Sequence, residues 1–324
     1  MEKAYGKGGK GLSRAGNGKA KGAKAGSALA EGGLIVSHYG VAVEVLFLGG
    51  ERRMVRVKRN SGHVVGDSVR VTGEVLERLP RKTELRRRDA RGGIHLVAAN
   101  LDVLGIVVAP GSPPGFLDRA IVAARAAGLT PFVVFNKCDL PEGQTLSAEL
   151  AGIYGAALHY FALSAASGAG LEPLRAFLHE GHRGAFVGST GVGKSSLLNA
   201  LCPEIDLKVR EVSDHKWLGR HTTTVSTLHA IPGGGELVDT PGFRDFGLVD
   251  ISSADIAEHF PGFESLEANG CRFHNCRHRQ EPGCAVADLV GKGEITSERY
   301  QTYLCLLTEV EGTEEAAQKR LWKK

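Results

Sequence analysis

The chain of 324 residues lacks any apolar run long enough to cross a membrane, and its N-terminus carries lysine and glycine where a secretory leader would be apolar. A transmembrane helix needs about 20 consecutive apolar residues, and a signal peptide needs an apolar segment behind a short basic one. These absences argue against a membrane protein and against secretion, so we expect a cytoplasmic protein. The hydrophobic content of 42% predicts ordinary globular domains with sizeable cores.

The net charge of +4 is unevenly distributed along the chain. Residues 1–30 hold seven Lys or Arg against one Glu, and residues 51–91 hold thirteen against six acidic residues. The first of these segments has almost nothing to bury, which predicts a disordered basic tail. Basic segments attract the phosphates of nucleic acid, although a tail that only improves solubility has the same composition.

The pattern of apolar residues predicts two different folds in succession. Residues 33–79 contain five short β-branched stretches separated by turns, which predicts a small β-barrel of the OB type; an SH3-like barrel would leave a similar pattern. Residues 81–91 then predict a basic linker. From Leu104 onward apolar strands alternate with amphipathic helical stretches, which predicts a parallel sheet with helices on both faces. The predicted helices cover residues 116–127, 146–154, 171–178, 194–201 and 297–311.

A glycine-rich stretch matches the phosphate-binding pattern G-x-x-x-x-G-K-[ST] between an apolar strand and a helical stretch. It reads Gly188, Ser189, Thr190, Gly191, Val192, Gly193, Lys194, Ser195, followed by Ser196, and we assign all nine residues to a nucleotide site. Backbone N–H groups of such a loop surround phosphates, and the helix N-terminus adds its positive end. We expect Lys194 to act in catalysis at the β- and γ-phosphates, and Ser195 to bind Mg²⁺.

A second motif predicts which base is bound. Asn136, Lys137 and Asp139 form an N-K-x-D motif directly after the strand PFVVF. The Asp139 carboxylate can accept two hydrogen bonds from guanine, and adenine offers no such pair of donors. Ser164 and Ala165 follow the next strand and predict a second loop against the base. The nucleotide is therefore predicted to be GTP.

Two further stretches predict the surroundings of the γ-phosphate. Asp239 and Gly242 belong to a D-x-x-G motif, in which the carboxylate holds Mg²⁺ through water and the glycine N–H senses the γ-phosphate. The polar stretch 219–224 lies between the two phosphate motifs. Within it we assign Thr223 to Mg²⁺ and to catalysis, and its two neighbouring threonines are alternatives.

A cluster of cysteine and histidine predicts a metal site near the C-terminus. Cys271, Cys276, His278 and Cys284 lie within 14 residues, and in a cytosolic chain such a group indicates metal binding rather than disulfides. Three thiolates and one imidazole form a closed tetrahedral set suited to one structural Zn²⁺. His274 is an alternative ligand.

The order of the motifs is rotated, because N-K-x-D and S-A precede the phosphate loop, the threonine stretch and D-x-x-G, whereas ordinary GTPases begin with the phosphate loop. Over about residues 31–311 the chain resembles the circularly permuted GTPases of the RsgA family, which assist maturation of the small ribosomal subunit. The resemblance implies an α/β P-loop GTPase domain, circularly permuted, with an N-terminal OB-like β-barrel and a C-terminal zinc-binding, mainly helical domain. The implied division is a tail at 1–30, barrel and basic linker at 31–90, GTPase domain at 91–249 and zinc-binding domain at 250–324.

The resemblance also implies a role and a catalytic residue. Phe243 stands where many GTPases place a glutamine that orients the attacking water. Members of the RsgA family are likewise hydrophobic at this position, which implies that His221 orients the water; an exposed switch histidine without that role is the alternative. The implied protein is a monomer that binds the small ribosomal subunit and its rRNA but no membrane, with GTP hydrolysis promoting release.

Two other functions compete with this interpretation. A metabolic P-loop kinase would use the flanking domains for its substrate, but it would lack N-K-x-D. A zinc-dependent RNA-binding adaptor would not need the intact residues Lys194, Ser195 and Asp239. The basic segments and the barrel would fit tRNA, mRNA or large-subunit RNA equally well, so the small-subunit assignment depends on the resemblance.

Overall fold

The structure is a computed structural model that describes residues 30–89, 92–203, 225–239, 247–264, 266 and 270–322. Nearly all of the predicted basic tail lies outside the described residues, and so do His221, Thr223 and Gly242. Among the helices of the described segments, none combines the length and the apolar character needed to cross a membrane.

Residues 31–78 form the five strands of a small barrel. These strands are β1 (Glu31–His38), β2 (Ala42–Phe47), β3 (Arg52–Arg56), β4 (Ser68–Thr72) and β5 (Val75–Arg78). β1 pairs with both β2 and β4, β2 pairs with β3, and β4 pairs with β5. A first strand that lies between the second and fourth is typical of the OB fold, so the barrel is of the OB type rather than SH3-like. Alternate residues such as Val43, Val45 and Phe47 point inward and fill its core.

The segment predicted as a basic linker instead contains a strand. β6 (Glu84–Arg88) pairs antiparallel with β7 (Ile94–Ala99), and the two form a hairpin between the barrel and the following sheet. Leu85 and Ala98 anchor this hairpin in the main hydrophobic core. The first strand of the hairpin has the sequence E-L-R-R-R, with one buried apolar residue among charged ones. This sequence lacks the alternation of apolar and polar residues that predicts a strand.

The predicted parallel sheet is present. Its strands are β8 (Val103–Val108), β9 (Thr130–Phe135), β10 (Tyr160–Ala162), β11 (Arg183–Val187), β12 (Ser226–Ala230) and β13 (Glu236–Asp239), in the order β10-β9-β8-β11-β13-β12. All neighbours are parallel except β12 and β13. β1 of the barrel continues this sheet, because His38 and Ser37 pair with Ser226 and Thr227 of β12.

Helices cover both faces of the sheet. They are α1 (Phe116–Ala126), α2 (Pro141–Tyr154), α3 (Leu171–His179) and α4 (Lys194–Leu201). α2 begins at Pro141 rather than near Leu146, because proline is well suited to the first turn of a helix, where its missing N–H has no intrahelical partner. α3 and α4 pack on one face, while α1 packs on the other together with the C-terminal domain.

The C-terminal domain is mainly helical. It contains α5 (Ile256–His259), α6 (Ala285–Gly291) and α7 (Ser297–Leu321). α7 begins where the Thr296 side chain accepts a hydrogen bond of 3.3 Å from the Arg299 N–H. The helix continues ten residues beyond the predicted end at 311, because its last turns are mostly solvent-exposed and therefore show no apolar period in the sequence.

A buried ion pair joins this domain to the sheet. Arg299 of α7 donates hydrogen bonds to Asp118 of α1, the shortest of them 2.9 Å long, and the Tyr154 hydroxyl donates to the same carboxylate at 2.8 Å. Burial raises the pKa of Asp118, and the bonds from Arg299 and Tyr154 oppose that shift. The three residues connect α1, α2 and α7. The helix that follows the N-K-x-D motif, α2, is therefore in direct contact with the C-terminal domain.

Candidate nucleotide and metal sites

The predicted nucleotide motifs gather at one edge of the sheet. Strands β8, β9, β10, β11 and β13 are parallel, so the loops that follow them leave from the same carboxyl edge. The N-K-x-D motif follows β9, the S-A pair follows β10, the phosphate loop follows β11, and Asp239 ends β13. This edge is where ligands bind in open α/β sheets.

The phosphate loop has the backbone conformation that its glycines predict. Gly191 and Gly193 have φ angles of 85° and 96°, a region that residues with a Cβ rarely adopt. At Gly188 a Cβ would lie 2.4 Å from the carbonyl oxygen of Val107, so a larger residue would collide with β8. The Lys194 ammonium group donates to the carbonyls of Gly188 and Ser189 at 2.6 and 3.0 Å, which holds its charge over the loop.

Asn136 connects three of the loops. Its side-chain Nδ2 donates to the Val192 carbonyl at 2.8 Å, and its Oδ1 accepts from the Ala165 N–H at 2.9 Å. The residue is 3% exposed, so both bonds are shielded from water. A Cβ at Gly193 would collide with Asn136 Nδ2, and the φ of 96° at this residue also favours glycine. The sequence predicted a nucleotide-binding residue but gave no sign of this bridging role.

The two loops predicted to contact the base run side by side. The Cys138 N–H donates to the Leu163 carbonyl at 3.1 Å, and Lys137 has a left-handed φ of 66°. Ser164 is 1% exposed, and its hydroxyl accepts from the Ser167 N–H at 3.3 Å. The Asp139 side chain is exposed beside them. The Asp139 carboxylate is therefore accessible to a planar base with two donors.

Asp239 lies beside the phosphate loop because β13 is parallel to β11, with Val238 paired to Ala185. The residue is half-buried, and burial raises the pKa of its carboxyl. A cation close to the carboxylate would offset that desolvation, as expected of an Mg²⁺ ligand. Ser195 is exposed in the first turn of α4, the helix that follows the phosphate loop. Thr223, Gly242 and His221, the other residues assigned to the γ-phosphate, lie outside the described segments.

The four predicted metal ligands come together. The ligand atoms of Cys271, Cys276, His278 and Cys284 all lie within 4.8 Å of one another, and His274 is not part of this cluster. His278 Nδ1 is 3.5 Å from the sulfurs of both Cys271 and Cys284. Tetrahedral Zn²⁺, with Zn–S bonds of about 2.3 Å and Zn–N bonds of about 2.05 Å, sets sulfur and nitrogen about 3.5 Å apart. The residues present therefore fit one zinc ion.

The protonation of the cluster also suits a metal. Burial raises the pKa of the Cys276 thiol to about 12 and also raises the pKa of the Cys284 thiol, so these two thiols need a cation to ionise them, while burial lowers the pKa of His278 and leaves its imidazole neutral. α7 supports the loop from behind: the Tyr300 hydroxyl donates to the His278 carbonyl at 2.7 Å, and Tyr303 donates to the Arg277 carbonyl at 3.0 Å. Contacts outside the ligand shell orient metal ligands in this way.

The guanine motif, the phosphate loop and the D-x-x-G aspartate lie on one parallel sheet, and the guanine motif comes first along the chain. This arrangement defines a circularly permuted P-loop GTPase. The sequence of residues 78–249 matches the RsgA GTPase family. The chain therefore belongs to the RsgA GTPase family, and as a member it is a GTP-hydrolysing enzyme.

Known relatives and solved structures agree with this assignment. The "Small ribosomal subunit biogenesis GTPase RsgA" of Pseudomonas fluorescens strain Pf-5 is 40% identical over 291 residues, covering 85% of this chain and 84% of that protein. Its counterpart from Chromohalobacter salexigens is 41% identical over 286 residues, covering 84% of each. The crystal structure of YjeQ from Thermotoga maritima has a TM-score of 0.71 and 31% identity, covering 88% of this chain and 99% of that one. YloQ, a circularly permuted GTPase, has a TM-score of 0.65 and 25% identity, covering 88% and 96%. The predicted fold class and family are confirmed.

Proposed function

We propose that this GTPase is a switch that binds the small ribosomal subunit, assists its late maturation, and leaves when GTP is hydrolysed. The observation that carries the proposal is the gathering of the guanine, phosphate and Mg²⁺ motifs at one edge of a sheet that the OB-like barrel continues. The relatives' printed name, small ribosomal subunit biogenesis GTPase, supports the choice of partner. We also propose a cytoplasmic location, a monomeric state and domain boundaries after residues 30, 90 and 249.

In the proposed site Asp139 reads the base, while Asn136, Lys137, Ser164 and Ala165 form the wall around it. The bonds of Asn136 to the phosphate loop and to Ala165 support this assignment, because they fix the two base loops relative to the phosphates. The residues of the phosphate loop donate their N–H groups to the phosphates. They are Gly188, Ser189, Thr190, Gly191, Val192, Gly193, Lys194, Ser195 and Ser196.

Hydrolysis requires a water molecule placed in line with the γ-phosphate and stabilisation of the negative charge that develops. Lys194 supplies a positive charge at the β- and γ-phosphates. Ser195, Thr223 and Asp239 would hold Mg²⁺, which neutralises phosphate charge when bound with GTP. The Gly242 N–H donates to the γ-phosphate, so its loop changes when that group leaves.

His221 is proposed to orient the attacking water. Phe243 has no polar group for this task, and a neutral imidazole can accept a hydrogen bond from water. The water then attacks phosphorus, its proton passes to phosphate, and the bond to the GDP oxygen breaks. Slow turnover alone and faster turnover on the ribosomal particle are expected from such a partly assembled site.

The C-terminal domain is proposed to receive the change at the γ-phosphate. The chain after Gly242 leads directly into that domain, and at residue 250 it is already ion-paired to the hairpin, through Arg86 and Asp250. One structural zinc held by Cys271, Cys276, His278 and Cys284 would fix the loop that faces rRNA. Loss of the γ-phosphate would thus weaken the contact between Asp250 and the hairpin. It would also weaken the binding of the zinc-binding domain to the subunit.

Single-turnover GTP hydrolysis by the His221→Ala variant tests the catalytic part of this proposal. We expect the rate to fall on the order of 10²-fold or more, with and without small ribosomal subunits, while GTP affinity stays near the parent value. The matched control is His229→Ala, a histidine on β12 outside the assigned site, which should retain the parental rate. Parental hydrolysis by His221→Ala on the subunit would mean that another group positions the water.

A further inference from the structure

A cavity of about 800 Å³ lies between the barrel, the β6–β7 hairpin and β12, and none of the described nucleotide-motif residues lines it. Its described lining contains two arginines and three histidines but no Asp or Glu. Burial lowers the pKa of His38 and His63, and His95 pairs with Asp89, so the positive charge of the lining comes from the two arginines. Such a cavity attracts an anionic ligand. Its volume lies within the range of about 300 to 1,000 Å³ typical of small-ligand pockets.

The two arginines are available to a ligand. Arg59 follows β3 and Arg87 lies on β6, and both are exposed. Among the described residues, neither guanidinium group has an ion-pair or hydrogen-bond partner. Other arginines nearby are already engaged: Arg81 is bound to the buried Asp67 at 2.6 Å. Two guanidinium groups without a partner among the described residues, in the lining of one cavity, suit phosphates of one strand.

His63 lines the cavity, and one of its ring nitrogens has no hydrogen-bond partner among the described residues. His63 Nδ1 is 3.0 Å from the Ser61 hydroxyl, while its Nε2 is buried without a hydrogen-bond partner. Burial lowers the pKa of His63, so the ring is neutral and Nε2 can serve as a donor or an acceptor. A buried polar atom left unpaired costs free energy, and a rotation of the His63 ring that turns Nε2 toward a ligand hydroxyl or base edge in the cavity would recover it.

Flat and apolar surfaces complete the site. Three residues of the lining, Tyr39, Val41 and Ile94, are 43%, 54% and 47% exposed. An exposed aromatic ring next to positive charge is the arrangement on which single-stranded nucleic acid stacks its bases. An acidic peptide would use the arginines but would have no need of the ring or of the buried His63 nitrogen.

From these contacts we infer that the cavity binds one unpaired nucleotide of an RNA strand, with its base at Tyr39 and His63 and its flanking phosphates at Arg59 and Arg87. The inference rests on the proposed function, because it takes the partner to be RNA. It also adds a regulatory contact. Ser226 of β12 lines the cavity, pairs with His38 of β1, and stands two residues after the predicted threonine switch ends at Thr224. An RNA nucleotide in the cavity therefore touches the strand that leaves the switch.

Fluorescence anisotropy with a labelled single-stranded 12-nucleotide RNA, measured on the full chain over a range of salt concentrations, tests the inference. The Arg59→Ala, Arg87→Ala double variant removes two phosphate contacts, so the slope of log affinity against log salt should become shallower by about 1.4. Tyr39→Ala should weaken binding about five-fold or more. The matched control is Arg56→Ala with Arg70→Ala, two exposed barrel arginines outside the cavity, which should retain the parental slope.

Crosslinking locates the nucleotide directly. RNA carrying 4-thiouridine should crosslink to a peptide that contains Tyr39 or His63. Crosslinks confined to other peptides, an unchanged salt slope in the cavity double variant, or a polyglutamate peptide that binds in place of RNA would each overturn the inference. Co-sedimentation with small ribosomal subunits separates the two proposals. If the parent chain fails to sediment with the subunits, the proposed function is contradicted. If the parent chain and the cavity variants sediment with them equally well, only the inference is contradicted.

Discussion

Asn136 donates a buried hydrogen bond of 2.8 Å to the backbone carbonyl of Val192, so a residue of the guanine motif supports the phosphate loop. The same side chain accepts from Ala165 at 2.9 Å. Replacing Asn136 with alanine leaves both backbone groups without these partners. Because an unsatisfied buried group costs about 1–3 kcal/mol, GTP affinity should fall roughly five- to 150-fold in isothermal titration.

A second variant separates the two bonds of Asn136. Asn136→Asp keeps an acceptor for Ala165 but sets a carboxylate against the Val192 carbonyl. It should therefore bind GTP no better than Asn136→Ala. Parental affinity in both variants would show that the contact between the loops is not needed for nucleotide binding.

Asp139 is expected to set the choice of base. In Asp139→Asn one acceptor becomes a donor that faces the donors of guanine, while xanthine offers an oxygen at that position. The variant should lose affinity for GTP and gain relative affinity for XTP, measured by competition among GTP, ATP and XTP. If GTP remains preferred to the parental extent, Asp139 does not read the base.

Zinc is expected to hold the C-terminal loop. The purified chain should contain about one zinc per molecule by elemental analysis, and Cys276→Ser with Cys284→Ser should abolish it. Because structural zinc supplies folding free energy locally, the double variant should lose helical signal and small-subunit binding while GTP still binds. Cys305→Ser, which changes an exposed thiol on α7, is the matched control. Zinc-free protein with an intact C-terminal domain would exclude the site.

The Arg299–Asp118 pair should be a major source of stability between the domains. In Arg299→Met the Asp118 carboxylate, which is 2% exposed, stays buried without its cation. Removing one partner of a buried pair costs about 3–5 kcal/mol, so the free energy of unfolding in urea should fall by that order. Arg119→Met removes a neighbouring pair between the same two helices, Arg119 with Glu309, whose side chains are 30% and 46% exposed, and this change should cost about 1 kcal/mol or less. Equal losses in the two variants would contradict the role of burial.

The sequence predicted those parts of the fold whose residues carry a local signal. The alternation of strands and helices after Leu104, the OB-like barrel and the Cys/His cluster each have a period or spacing of their own, and the structure has all three. The β6–β7 hairpin was missed because its arginines obscure the single inward Leu85. Likewise, the end of α7 was predicted too early because an exposed helical turn needs no apolar residue.

Long-range contacts were not predictable from one sequence. Nothing near Asn136 signals its bond to Val192, 56 positions further along the chain. The pairing of Arg299 with Asp118 spans 181 positions. Both depend on the order of strands in the sheet and on the side of the sheet that each helix occupies, which only the folded chain defines.

Single-turnover GTP hydrolysis, measured with purified small ribosomal subunits, with large subunits and with neither, tests the central claim most directly. The Lys194→Ala variant serves as the control for a disabled phosphate loop. We predict slow hydrolysis by the parent chain alone, a marked acceleration by small subunits, no acceleration by large subunits, and no measurable hydrolysis by Lys194→Ala. A parental rate that is the same in all three conditions would contradict the claim that this GTPase is a switch of the small ribosomal subunit.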